Sequence, residues 1–265
     1  MFPFRNILFP TDPSGNAQAA LKYATAFAQH GQGRVVSLSV QDAKEIAQAA
    51  IDHDIDLITV EMRDRKLLNR AFGSSLAEDI IAESPCAVLA VRPLQRDFVA
   101  QNDRQAEIQV KLVLLATNFR PSSVAATQLA TQMANQLGAE LHAVYVIGDY
   151  FEQISVMFPE GGLAALTRLR SYVQERMGNL ARGGGETHIT EGRPYQEIVK
   201  LADTLEADLI VIGTAVHGSL FGSSHVLGSE IERVIRNAPC PVLCVPAARV
   251  LTPFPALVTQ IVPQT

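Results

Sequence analysis

Between the apolar run "DLIVIG" (208–213) and the amphipathic run "SEIERVIRN" (229–237), the chain carries glycines at 213, 218 and 228, the last followed by Ser229. Phosphate oxygens need inward-turned backbone N–H groups with no Cβ in the way, and glycine supplies the bare backbone and the positive φ that such loops often use. A helix starting near Ser229 adds free amides and the positive end of its dipole, and the serine hydroxyl can reach a terminal phosphate or its metal. The chemistry open to these residues is anion binding. The alternative is a plain surface loop turning a corner between strand and helix. Glu230 favours that alternative, because in the first helical turn its carboxylate satisfies the dipole by about 0.3–1 kcal/mol and repels a phosphate. No P-loop lysine follows the last glycine, so "GSEIE" is not a Walker sequence.

Other chemically capable residues read differently. Cys240 and Cys244 alternate with Val242 on one strand face, and His217 and His225 lie upstream. Their spacing is not a zinc signature, and strand cysteines of this kind behave as small buried hydrophobes. His142 and His188 fall on predicted strands and read as packed or hydrogen-bonded structural residues, with no partner for either legible in the sequence. The glycines of "RGGGE" (182–186) lie between a helix end and a strand start, opposite the strand carboxyl ends where open α/β sheets bind ligands, and read as a turn.

The elements that must position these residues emerge from an internal repeat. "TDPSGNAQAALKYATAFAQHGQGRVVSLSV" (11–40) lies without a gap on "TNFRPSSVAATQLATQMANQLGAELHAVYV" (117–146), matching Thr11 to Thr117, four alanines to four alanines, and Val40 to Val146. "KEIAQAAIDHDIDLITVE" (44–61) lies on "QEIVKLADTLEADLIVIG" (196–213), and "SSLAEDIIAESPCAVLAV" (74–91) on "GSEIERVIRNAPCPVLCV" (228–245). In the second half, short β-branched runs alternate with segments of helical period, such as Leu163, Leu166, Leu169, Val173, Met177 and Leu180 on one face. The order is βαβαβαβαβ, a parallel sheet with helices on both faces. The first half passes from "VVSLSV" straight to the helix around Ile46 and lacks one helix and one strand. The expectation is an α/β protein of two tandem open parallel-sheet domains, with residues 1–95 as a shortened domain and 111–247 as a complete one. A polar linker spans 96–110, and an extended tail spans 248–265. The last strands, "CAVLAV" and "CPVLCV", are apolar on both faces and are expected to pair the halves as an internal pseudo-dimer.

A chain of 265 residues, 48 % hydrophobic and 18 % charged, can bury a full core. The net charge of −5 gives neither nucleic acid nor an anionic membrane a reason to bind. No apolar run approaches the roughly 20 residues needed to cross a bilayer. Three cysteines without a framework pattern point to a reducing compartment, and the start shows no export signal, so the expected location is cytoplasmic.

The opening "FRNILFPTDPS", the strand "ADLIVIGT" and the ending "GSEIERVIRNAPCPVLCV" resemble the universal stress proteins in their tandem two-domain form, a fold of the adenine nucleotide alpha hydrolase type. ATP-binding members carry Gly-x(2)-Gly-x(9)-Gly-Ser/Thr, an aspartate ending the first strand, and a backbone contact from the second strand to adenine. The second half matches in part: Gly218, nine residues, then Gly228 and Ser229. Gly213 stands five positions before Gly218 rather than three, Asn118 replaces the aspartate, and Val146 takes the adenine-facing position. Glu232 and Glu78 fall where the family often has a glutamate. In the first half Asp12 keeps the aspartate, but Glu61 and Ser74 stand at glycine positions.

The resemblance implies a stress-response module, regulatory or protective rather than catalytic. Its second domain would bind ATP or another adenine nucleotide through Asn118, Val146, Gly213, Gly218, Gly228 and Ser229, with Mg²⁺ if the ligand is a triphosphate. It also implies a homodimer and a protein partner of unknown identity. The competing readings are a nucleotide-free interaction scaffold and a slow ATP hydrolase, the latter disfavoured because no general base or metal-binding carboxylate is placed near Ser229.

Overall fold

The computed structural model describes residues 1–11, 17–39, 42–62, 76–93, 95–102, 105–149, 159–181, 184–214 and 229–247. The tail from 248 to 265 lies outside the described residues, as do Asp12, Ser74, Gly218, Gly228, His217 and His225.

The first half runs β1 (Asn6–Thr11), α1 (Gln18–His30), β2 (Arg34–Ser39), α2 (Ala43–Asp52), β3 (Leu57–Glu61), α3 (Leu76–Glu83) and β4 (Ala87–Val91). A hairpin, β5 (Val99–Asn102) and β6 (Gln105–Ile108), leads into the second half. There the order is β7 (Leu112–Ala116), α4 (Pro121–Leu137), β8 (Glu140–Gly148), α5 (Pro159–Ala181), β9 (Glu186–Gly192), α6 (Pro194–Thr204), β10 (Leu209–Thr214), α7 (Ser229–Asn237) and β11 (Val242–Pro246). The second half is the βαβαβαβαβ unit expected, and the first lacks the helix and strand that correspond to α5 and β9. Local signals set the boundaries. Pro121 occupies the first turn of α4, and Gly138 closes that helix at φ 67°, a left-handed position that glycine takes without strain. Asp42 caps α2 by accepting from the Lys44 N–H at 3.0 Å.

All the main strands join one nine-stranded sheet in the order β2-β1-β3-β4-β11-β10-β7-β8-β9. Every pairing within a half is parallel. The junction is antiparallel, with Val242 opposite Ala90, Leu243 opposite Leu89 and Cys244 opposite Val88. Leu89 and Leu243 are repeat equivalents, so a pseudo-two-fold axis passes between them. The expected pairing through the last strands is therefore present. The central strands β4 and β11 are buried along their whole lengths, whereas the edge strands β2 and β9 alternate exposed and part-buried residues.

The repeat extends to single hydrogen bonds. Asp56 accepts from the N–H groups of Arg5 and Asn6 at 3.0 and 2.9 Å, and its equivalent Asp208 accepts from Lys111 and Leu112 at 2.7 and 3.1 Å. Each carboxylate starts the first strand of its half in register with the strand that leaves the Asp.

Two apolar layers cover the sheet, and each runs across both halves. One contains Phe27 of α1, Met133 of α4 and Val173 of α5 with Leu89, Leu115 and Leu243 of the sheet. The other contains Ile46 of α2, Ile80 of α3, Ile198 of α6 and Val234 of α7 with Val88, Leu114 and Cys244. Leu166, Val173 and Met177, three residues of the helical stripe read from the sequence, are buried. Polar ties reinforce the junction: Arg92 donates to the carbonyls of Arg236, at 2.7 Å, and Ala238, while Arg236 bridges Glu78 across the halves and Glu232 at 3.0 Å in its own helix.

The segment 96–110 differs from its sequence reading. It is a docked hairpin rather than an irregular linker, because Phe98, Val99 and Ile108 provide enough apolar contact to seat two four-residue strands on α1. Phe98 meets Tyr23 edge-on with centroids 4.8 Å apart, and the Tyr23 hydroxyl donates to Asp97 at 2.9 Å. Burial and the adjacent Asp97 carboxylate raise the Tyr23 pKa, so the phenol stays neutral.

Because both apolar layers cross the β4–β11 junction, the halves are expected to unfold together. Leu243→Ala should lower stability by about 2–5 kcal/mol while urea denaturation followed by circular dichroism retains one transition. The exposed Leu21→Ala should change it by less than about 0.5 kcal/mol. Two separated transitions would contradict the shared core.

Candidate functional site

In the second half β7 and β10 are neighbours, yet the chain leaves them toward opposite faces, to α4 on one side and α7 on the other. Such a switch point opens a crevice at the strand carboxyl ends, the general ligand site of open α/β sheets. Asn118 follows β7, Gly213 ends on β10, Val146 lies toward the carboxyl end of β8, and Ser229 begins α7. The structure thus gathers at one end of the sheet the four of the six expected residues that it describes.

Asn118 is exposed and held by a local network. Its Oδ1 accepts from the Ser123 hydroxyl at 2.7 Å and from the Arg120 N–H at 3.1 Å, and its own N–H donates to Ser123 Oγ at 3.2 Å. This Asx turn ties the residue to the first turn of α4 and engages the oxygen, so the amide NH₂ is the part of the side chain left to meet a ligand. Ser123 was not identified from the sequence. A serine five residues after the strand-end Asn is the signal that marks it.

Val146 is part-buried against the layer that holds α6. The last β7 residue in the ladder, Ala116, pairs with Val144, and Thr117 N–H donates to Val144 O at 3.0 Å. Backbone groups alternate sides along a strand, so the N–H and C=O of Val146 face the same side as those of Val144, where β7 has already given way to Asn118. The position presents main-chain donor and acceptor at the mouth of the crevice.

At Gly213 a Cβ would lie 2.3 Å from Ser122 O and 2.9 Å from Ser123 N, closer than atoms can approach. Glycine here lets the first turn of α4 lie directly on the end of β10. The first half solves the same junction with a side chain. Glu61, equivalent to Gly213, reaches the start of α1 and accepts from the Ala19 N–H at 3.1 Å. A carboxylate therefore already occupies a helix-terminal amide in the first half, at the position where the second half has bare backbone.

Ser229 is the first residue of α7, and Glu230 is turned outward from the role expected of it. One Glu230 oxygen accepts from Tyr195 N–H, in the first turn of α6, at 3.1 Å, and the other lies 3.8 Å from Arg233. Its charge is engaged by a neighbouring helix and a guanidinium, which weakens the case against an anion beside Ser229.

An aromatic group flanks Asn118. Phe119, at the left-handed φ of 58°, stacks on Tyr145 with centroids 5.2 Å apart, and Arg176 lies 5.3 Å from the Phe119 ring centre. These contacts link the β7–α4 turn to β8 and α5 and hold the crevice wall. Cys240 and Cys244 are buried in the apolar layer, and burial pushes both thiols up to about 12. They pack as the small hydrophobes expected. His142 and His188 are each other's partners, with Nδ1 and Nε2 3.0 Å apart. Burial and the neighbouring His142 hold the His188 pKa below the ordinary imidazole value.

The model of the universal stress protein family matches residues 32–92 and 109–246. A universal stress protein of Methanocaldococcus jannaschii is 34 % identical over 152 residues, which cover 54 % of this chain and 85 % of the relative. A universal stress protein of Thermus aquaticus is 33 % identical over 138 residues, 51 % of this chain and 98 % of the relative. Among solved structures, a functionally unknown protein of Pseudomonas aeruginosa PAO1 is similar with a TM-score of 0.62 at 18 % identity, covering 92 % of this chain and 93 % of that one. A universal stress protein of Archaeoglobus fulgidus gives a TM-score of 0.56 at 18 % identity, covering 92 % and 97 %. These two show a shared fold.

Gly213→Ala should force α4 away from β10 and disturb the Asn118–Ser123 network, lowering stability by about 1–3 kcal/mol as overpacking does. Chemical denaturation checks it, and an unchanged midpoint would refute the close approach.

Proposed function

The chain belongs to the universal stress protein family, and from that membership we propose that it is a stress-response module binding one adenine nucleotide per chain, in its second half. The observation that supports this reading most strongly is the contrast between equivalent junctions. Gly213 presents bare backbone at the end of β10, while its equivalent Glu61 places a carboxylate at the start of α1, where it accepts from the Ala19 N–H. A triphosphate in the first half would meet that negative charge. In the second half it meets two helix N-termini, those of α4 and α7, whose dipoles favour an anion. The adenine edge would be read by the main-chain groups of Val146 and the amide NH₂ of Asn118, with Gly218, Gly228 and Ser229 around the phosphates and Mg²⁺ accompanying a triphosphate.

The role is binding rather than turnover. The two carboxylates in the first turn of α7 are engaged elsewhere, Glu230 with α6 and Arg233, and Glu232 with Arg236. Neither is poised to activate a water, which favours a regulatory or protective module that senses nucleotide and passes the state to a protein partner. A cytoplasmic location agrees with the absence of disulfides among the three free, buried cysteines. Among the described residues no helix is long and apolar enough to cross a membrane. Two chains are expected to associate as a homodimer with the tail contributing contacts. Deleting residues 250–265 should shift sedimentation toward the monomer, and an unaltered profile would remove the tail from the interface.

Isothermal titration with ATP should give a stoichiometry of one per chain. Gly228→Val should abolish binding by putting a branched side chain where phosphate approaches, and Asp12→Ala should leave it intact. Asn118→Ala, which removes the amide NH₂, should weaken it by up to about tenfold, the worth of one lost hydrogen bond. Two equivalent sites would refute the assignment to the second half, and no binding at all would favour the nucleotide-free scaffold.

A further inference from the structure

At the amino ends of β8 and β9, on the far side of the sheet from the crevice, three metal-binding side chains converge. The ladder sets His142 directly opposite Glu186 and Val144 opposite His188, so His142, Glu186 and His188 project from the same face of adjacent strands. His142 Nδ1 lies 3.0 Å from His188 Nε2, and the rings are nearly parallel, 16° apart with centroids separated by 5.2 Å. The other His142 nitrogen, Nε2, stands 3.5 Å from a carboxylate oxygen of Glu186 and 3.5 Å from one of Glu140. One donor atom from each of His142, Glu186 and His188 lies within 4.8 Å of the other two. A cavity of about 380 Å³, lined in part by Glu140, His142, Gly184 and Glu186, gives solvent access to this point.

We propose that His142, His188 and Glu186 form a binding site for a divalent transition ion, Zn²⁺, that braces the edge strand β9 to β8. Two imidazole nitrogens with a carboxylate oxygen suit Zn²⁺ and its first-row neighbours, whereas Mg²⁺ and Ca²⁺ take oxygen donors. Zinc–ligand bonds of about 2.0–2.1 Å in a tetrahedral arrangement put donors about 3.3 Å apart. The 3.0 Å between His142 Nδ1 and His188 Nε2 is close to that value, and the donor atoms of His142, His188 and Glu186 lie within 4.8 Å of one another, a gap that the Glu186 side chain closes by rotation. The backbone is already in place and His142 is held with only 7 % of its side chain exposed, while the Glu186 side chain, 67 % exposed, is free to close on an ion.

The tautomers follow from the same geometry. In the metal-free pair one hydrogen sits between Nδ1 of His142 and Nε2 of His188. Binding through these two atoms needs both lone pairs, so that hydrogen passes through solvent to the far nitrogen of its own ring, and two neutral imidazoles lose no proton overall. His142 then carries its hydrogen on Nε2 and donates it to Glu140, the carboxylate–histidine–metal arrangement that fixes a ligand's ring. Water from the cavity supplies the fourth ligand. Nothing in this site depends on nucleotide binding: along β8, His142 stands about 13 Å from Val146 at the crevice, four residues at about 3.3 Å each.

The test is titration of the metal-free full chain with Zn²⁺ by calorimetry, with Co²⁺ as the spectroscopic probe. The expected result is one ion per chain, a raised melting temperature, and visible Co²⁺ bands of a low-coordinate N/O site without thiolate charge transfer. His188→Gln should weaken binding at least tenfold. The exposed Glu186→Gln, whose fold is checked by circular dichroism, should also weaken it even if His188→Gln proves unstable. His30→Gln and His53→Gln should bind as the wild type does. Absence of stoichiometric binding, thiolate bands, or full-strength binding by folded Glu186→Gln and His188→Gln would overturn the proposal.

Discussion

The antiparallel pairing of β4 with β11 is the constraint on which the rest of the molecule depends. Each strand is apolar on both faces, so neither half could leave it as a sheet edge without inviting association. Pairing them removes both edges at once and makes the apolar layers on each side of the sheet continuous from α1 to α5 and from α2 to α7. Because equivalent residues Leu89 and Leu243 meet at the centre, the pairing is also a symmetry statement. It turns the carboxyl ends of the two halves toward opposite ends of the sheet, so the crevices that the repeat generates cannot merge into one site. Each must be judged on its own residues.

Judged so, the described residues differ most plainly at one position, Glu61 in the first half and Gly213 in the second. Asp56 and Asp208 hold the first strands in the same way, and the ladders keep the same register, so backbone geometry does not separate the halves. What separates them there is whether a carboxylate side chain or bare glycine backbone stands at the strand end, Glu61 on β3 or Gly213 on β10. Glu61 accepts from Ala19 N–H, whereas Gly213 lets Ser122 and Ser123 come against the strand. On the proposed reading the same choice bears on stability and binding together, since a carboxylate that satisfies a helix end also excludes a ligand that would do so.

Much of this was legible in the sequence, for physical reasons that differ by element. The ends of α4 are marked in the sequence by Pro121 and Gly138, residues with opposite backbone requirements. The β4–β11 pairing was legible because a run apolar on both faces has to be covered. The hairpin at 99–108 was missed, since two four-residue strands show too few apolar residues to reveal a period, and Phe98 is seated by α1 rather than by its own neighbours. Within the site, the glycine pattern located the crevice, but the role of Gly213 came from packing against α4, not from phosphate geometry. Ser123 and the engagement of Glu230 by Tyr195 depend on side chains brought together from separate elements. The His142–His188 contact was unreadable for the same reason, because 46 positions separate residues that only the β8–β9 register makes adjacent.

The central claim is that one crevice of a symmetric pair is open to adenine nucleotide and the other is closed by its own carboxylate. Hydrogen–deuterium exchange with and without saturating ATP reads both crevices in one experiment. The account predicts slowed exchange at residues 118–123, 144–147 and 229–232, and no change at residues 17–20 or 59–61 of the first half. Equal protection in both halves, or protection of the first half alone, would contradict it.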